Sequence, residues 1–115
     1  MTEAEKYKYL TIVIMRLTEQ RADIAQIKPG LKVTEVNGRI YHRWSLQRNR
    51  IKSYIHYFRD DPRHGIIDKN LKVLLDSIDV CYMEWHECGK FNIRGVLSLY
   101  SKLISYLHSE STTLY

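Results

Sequence analysis

Apolar residues along the chain fall into stretches of different period. Tyr7, Leu10, Ile14, Leu17 and Ile24 recur at spacings of three, four and seven, with Arg21 interrupting the seam, the pattern of one buried helix face. Ahead of them, Thr2 is followed three residues later by Glu5, a capping box in which each residue's side chain satisfies a backbone N–H of the other. The spacing predicts a helix running to about Ile27 and stopped by Pro29-Gly30.

Between Leu31 and Trp44 the period shortens. Val33, Val36, Ile40, Tyr41 and Trp44 favour strands, and Asn37-Gly38 supplies the two positive-φ positions of a type I′ turn. These residues predict a β-hairpin over 31–44 in which Val36 meets Arg39, Glu35 meets Ile40, Val33 meets His42 and Leu31 meets Trp44. Leu31, Val33, Ile40, His42 and Trp44 would then face inward. Lys32, Thr34, Val36, Arg39, Tyr41 and Arg43 would face outward, with Lys32 and Arg43 directly opposed, a like-charge pairing that destabilises unless an anion covers it. A single helix through the segment competes, at a cost of about 1 kcal/mol for Gly38; the hairpin is the preferred reading.

Three further helices follow. Ser45 caps a second helix running to about Arg59, which Asp60-Asp61-Pro62 ends. Asp68 opens a third, with Leu71, Leu74, Ile78, Cys81, Trp85 and Cys88 as its apolar stripe and Gly89 as its left-handed stop. Asn92 caps a fourth, where Phe91 can staple onto Val96 and Ile93, Leu97, Tyr100, Ile104 and Leu107 form the buried face. The short link at Gly89–Phe91 makes these two helices antiparallel neighbours, and 109–115 reads as a frayed tail. The expected architecture is a single domain over 1–115, mainly α: a small bundle of three to four amphipathic helices with one β-hairpin inserted between the first and second.

Composition narrows the function. Apolar residues make up 44% of the 115 and charged residues 27%, the balance of an ordinary folded domain. The longest apolar run, Ile12-Val13-Ile14-Met15, falls far short of the ~20 residues of a membrane span, and the start Met1-Thr2-Glu3 lacks a signal peptide's pattern, so the expected location is cytoplasmic. Cys81 and Cys88 lie about 10 Å apart along a helix axis, beyond the ~7 Å reach of a disulfide, and read as reduced, small apolar core residues. His86 and Cys88 project about 200° apart on that helix, which leaves Cys81, His86 and Cys88 without metal-site geometry. Asp60, Asp61 and Asp68 read as helix punctuation rather than a carboxylate cluster. No catalytic residue, metal or cofactor is expected, and the protein reads as non-enzymatic.

Charge supplies the functional lean. The net charge of +5 is contained in residues 39–64, where Arg39, Arg43, Arg48, Arg50, Lys52, Arg59 and Arg63 stand against Asp60 and Asp61. On a second helix Arg48, Lys52, His56 and Arg59 share an arc of about 80°, beside an arc of Ile51, Tyr54, Ile55 and Phe58 that faces the core. With the outer hairpin face, the predicted basic wall comprises Lys32, Arg39, Tyr41, Arg43, Arg48, Arg50, Lys52, His56 and Arg59.

Such a wall suits nucleic acid, DNA or RNA. Arginine forks grip phosphates, Tyr41 or Tyr57 can stack on a base, and Arg50 with Tyr41 would stand nearest the bases. The alternative is a helical protein–protein interaction module or adaptor, a homodimer among its forms, docking an acidic partner through the same face. Tyr82, Tyr100 and Tyr106 read either as an exposed aromatic patch serving such an interface or as core-edge residues with wet hydroxyls. Binding to a lipid surface would expose Ile51, Ile55 and Phe58, which the core needs, so no membrane partner is expected.

Overall fold

A computed structural model describes residues 3–27, 35–57 and 64–112. They form four helices: α1 (Glu3–Ala25), α2 (Glu35–Tyr57), α3 (His64–Cys88) and α4 (Ile93–Thr112). Each packs its backbone closely on its neighbours in the order α1, α2, α3, α4 and back to α1, and among the described residues diagonal helices meet only through side chains, giving an elongated bundle of 44 × 22 × 20 Å. Contacts fix the directions. Tyr9 meets Arg50 while Gln20 and Asp23 meet Arg43, so α1 and α2 are antiparallel. Trp44 meets Asp79 and Tyr41 meets Tyr82, which does the same for α2 and α3.

The mainly α expectation holds, and the hairpin does not. Among the described residues there is no strand, and residues 35–44 are the first half of α2. Two local signals misled. Asn37-Gly38 is a turn signal only where the flanking chain doubles back, and Gly38 here sits inside a helix without a positive φ. Ile40 and Trp44 of this segment belong to a longer helical seam with Gln47, Ile51 and Tyr54, spaced four, three, four and three, while Tyr41 is exposed. Trp44, Gln47, Ile51 and Tyr54 are buried and Ile40 packs against the core. Burying side chains of this size is worth about 1.5–3 kcal/mol each, which outweighs the roughly 1 kcal/mol that a mid-helix glycine costs. Residues 31–34 of the proposed hairpin lie outside the described residues.

Other boundaries shift for similar reasons. Ser45 is no N-cap: it lies within α2, where its hydroxyl donates to the His42 carbonyl at 2.7 Å. α3 opens at His64, four residues before Asp68. Its buried row is Leu71, Leu75, Ile78, Tyr82 and Trp85, rotated slightly from the predicted stripe, so Cys81 is half-buried and Cys88 exposed rather than both being core residues. α4 extends to Thr112, with Glu110 and Ser111 buried, so the stretch from 109 to 112 is helix rather than tail.

The Gly89 stop and the Asn92 cap of the α3–α4 turn form as read. Gly89 adopts φ 69° and its N–H donates to the Trp85 carbonyl at 2.9 Å. The Asn92 side chain accepts from the Gly95 N–H at 3.0 Å, capping α4, while Phe91 stacks on Trp85 at 3.9 Å between centroids.

The two glycines separate helix from hairpin. Open space surrounds the position of a Cβ at Gly38, so Gly38→Ala is expected to stabilise by about 1 kcal/mol, raising Tm by roughly 4–8 °C. Gly89→Ala is expected to lower it, because its left-handed backbone disfavours a side chain. Thermal unfolding followed by circular dichroism reads both, and a loss of stability at Gly38→Ala would restore the hairpin.

Candidate interaction surface

Polar groups inside the bundle determine which charges reach its surface. The buried indole of Trp44 donates to Asp79 Oδ1 at 2.7 Å, and Arg48 Nη1 donates to the same oxygen at 3.0 Å. Arg48 also donates to the Tyr41 hydroxyl at 3.3 Å and lies 6.0 Å from the centre of that ring. Partial burial opposes the Arg48 charge, but the bonds to Tyr41 and Asp79 and their charges overcome this and raise its pKa. Arg48 is therefore a strut between α2 and α3.

Arg43 is held as well. Its guanidinium donates to Asp23 Oδ2 at 2.7 Å, and its carbonyl accepts from the buried Gln20 side chain at 3.0 Å, both ties reaching α1. Arg21, which broke the α1 seam, turns toward α4 and donates from Nε to Ser101 at 2.8 Å. At the opposite end of the bundle, Lys6 is only 2% exposed, with its ammonium 5.5 Å from the Tyr54 ring centre. The Tyr54 hydroxyl donates to buried Glu110 at 3.2 Å, linking α2 to α4 across the core.

The predicted basic wall is divided accordingly. Lys32 and Arg59 lie outside the described residues. At 100° per residue, Arg39, Arg43 and Arg50 fall within about 40° of one another on the α1 flank of α2. Arg48, Lys52 and Tyr41 share an arc of about 40° on the α3 flank, turned roughly 140–180° from Arg39 and Arg50. His56 is exposed beyond Lys52, and His42, expected to face inward, is exposed too. Of the five lysines and arginines on α2, Arg43 and Arg48 hold carboxylates, whereas Arg39, Arg50 and Lys52 make no ion pair among the described residues.

What the structure does bring together is a single exposed row along the α1 flank of α2: Arg39, Arg43, Leu46, Arg50, Ser53 and Tyr57, spaced four, three, four, three and four. All are exposed except Arg43, which is partly covered; Leu46 is 44% and Tyr57 64% exposed. α2 carries those five basic residues against Glu35 alone. α3 has the reverse balance, Asp68, Asp76, Asp79, Glu84 and Glu87 against Lys69 and Lys72.

Sequence reasoning missed a second row. On the outer side of α3, Lys69, Val73, Asp76, Val80, Met83 and Glu87 are all exposed and follow the same spacing. The signal was present in Val73, Val80 and Met83, spaced seven and three and each offset by two residues from buried Leu75, Tyr82 and Trp85.

The tyrosines expected near the surface are interior. Tyr82 and Tyr100 are buried and share a hydrogen bond of 2.9 Å between their hydroxyls, so neither is a wet edge residue, and Tyr106 is half-buried against the core. Among the described residues there is no group of three or more potential metal ligands, and no helix is long and apolar enough to cross a membrane. No protein-family model, curated protein or solved structure matches this chain.

Two stability effects follow from the interior. Asp79→Ala leaves Trp44 and Arg48 without their shared acceptor and is expected to cost about 1–3 kcal/mol, read as a lower urea midpoint with an unchanged slope. Burial raises the pKa of Tyr82 and Tyr100 above the ordinary tyrosine value of about 10. A raised pKa leaves their stabilisation intact below about pH 10 and removes it as pH climbs further. Alkaline titration is expected to unfold the protein, with the tyrosinate absorbance of Tyr82 and Tyr100 appearing only as helical ellipticity is lost; ionisation of all nine tyrosines in the folded state would contradict it.

Proposed function

We propose that the protein is a non-enzymatic helical interaction module that binds an acidic, amphipathic helical partner along the outer row of α2. The observation that supports this most directly is the composition of that row: three arginines, a leucine and a tyrosine on one line of a helix with no acid beyond Glu35. Arginine and tyrosine are enriched among residues that dominate binding energy, and Leu46 with Tyr57 offers apolar area between the charges. From Arg39 to Tyr57 the row spans about 27 Å, the length of five helical turns. The free thiols of Cys81 and Cys88 accord with a reducing, cytoplasmic setting.

Nucleic acid is the second reading, favoured by the lack of ion pairs at Arg39, Arg50 and Lys52 and by the concentration of the protein's excess charge on and beside α2. The two flanks of α2 distinguish the readings. A helical partner seated on the row touches Arg39 and Arg50 but leaves Lys52 free, whereas a phosphate backbone recruits all three.

Titration of the full chain against a fluorescent acidic amphipathic helical peptide, and against single-stranded and duplex DNA and RNA, tests both. The expected result is peptide binding weakened about tenfold or more by Arg39→Glu/Arg50→Glu and by Leu46→Asp, and changed less than about twofold by Lys52→Glu. Nucleic-acid binding would instead be weakened by Lys52→Glu, with a slope of log affinity on log salt of about −2 to −3 for three phosphate contacts. Absence of binding to any of these would overturn both readings.

A further inference from the structure

We propose that the acidic partner is a second copy of this chain, whose α3 outer row docks antiparallel on the α2 outer row. This rests on the reading of α2 given above and names the occupant. The two rows are built to one measure: six residues each, spaced four, three, four, three and four, both about 27 Å long. Five of the nine exposed large apolar side chains among the described residues lie on them: Leu46 and Tyr57 on α2, and Val73, Val80 and Met83 on α3, the last three 59%, 50% and 57% exposed.

Laid antiparallel in full overlap, the rows complement one another position by position. Arg39 meets Glu87 and Arg50 meets Asp76, opposite charges in both cases. Leu46 meets Val80 at the centre, and Arg43, already neutralised by Asp23, lays its aliphatic stem by Met83. Ser53 meets Val73, and Lys69 comes over Tyr57, a cation–π arrangement.

The parallel alternative fails. It sets Arg39 against Lys69 and buries Asp76 on Leu46, a like-charge contact and an unpaired carboxylate. The charge balance of the whole helices supports the pairing itself, since α2 is basic and α3 acidic.

Such an interface joins two different surfaces. Each copy that offers its α2 row to one neighbour keeps its α3 row for the next, so association is head-to-tail and continues into a ring or a filament.

Sedimentation velocity of the full chain across a concentration series, with two charge-reversed variants, provides the test. One variant carries Arg39→Glu/Arg50→Glu, the other Asp76→Arg/Glu87→Arg, all four at exposed positions, and circular dichroism confirms that both fold. The wild type is expected to grow past the dimer with concentration and to dissociate as salt is raised. Each variant alone is expected to associate about tenfold more weakly or worse, because like charges then face across the interface. An equimolar mixture of the two is expected to recover association, since the acidic α2 row of one fits the basic α3 row of the other.

A wild type that stays monomeric would overturn the proposal, as would a mixture no more associated than its components or an oligomer that neither variant weakens. If the acidic peptide still binds while the wild type stays monomeric, the reading of α2 survives and only its occupant is wrong.

Discussion

Burying the Trp44 indole imposes a condition that organises the rest of the molecule. An N–H withdrawn from water needs an acceptor, and the one in reach is Asp79 on the neighbouring helix. A carboxylate placed there needs a cation, and Arg48, one turn further along α2, supplies it while leaning on Tyr41. Trp44 then packs against Tyr82 and Tyr100, whose hydroxyls satisfy each other in the interior. One aromatic residue thus fixes the register of α2 on α3 and joins it to the aromatic stack that continues through Trp85 and Phe91.

Polar contacts between helices sort the charges. Arg48 is consumed between α2 and α3, Arg43 is tethered to α1 through Asp23, and Arg21 is turned onto α4. These residues position helices. Arg39, Arg50 and Lys52 make no ion pair among the described residues, and they stand on two flanks of one helix rather than on a single wall. The surface therefore carries a basic row on α2 and an acidic balance on the adjacent α3.

Much of the fold was legible where local and long-range signals agree. Leu10, Leu17 and Ile24 announce α1, and Gly89 with Asn92 announces the α3–α4 turn in the form it takes. Asn37-Gly38 pointed the other way because a dipeptide describes only its own neighbourhood, whereas Trp44, Ile51 and Tyr54 place the segment through burial against residues far along the chain. Lys6 and Glu110 escaped for a related reason: nothing adjacent marks a lysine or glutamate as interior, and their burial depends on Tyr54, about fifty residues away from either. At the candidate surface, residue types were legible and facings were not. A cation's availability depends on carboxylates such as Asp23 and Asp79, which the sequence places on other helices without saying where those helices lie.

The cluster of Lys6, Tyr54 and Glu110 has a topological implication. It brings the opening turns of α1 and the closing turns of α4 to the same end of the bundle, and those two helices share the most extensive pairing in the molecule. In space the four helices close into a cycle, in which the break between the fourth and the first is a matter of covalent order alone. A circular permutation that bridges that gap with a short linker and opens the chain at the exposed Gly89–Lys90 turn would keep every helix and every buried contact between them, changing only which helix leaves the ribosome first.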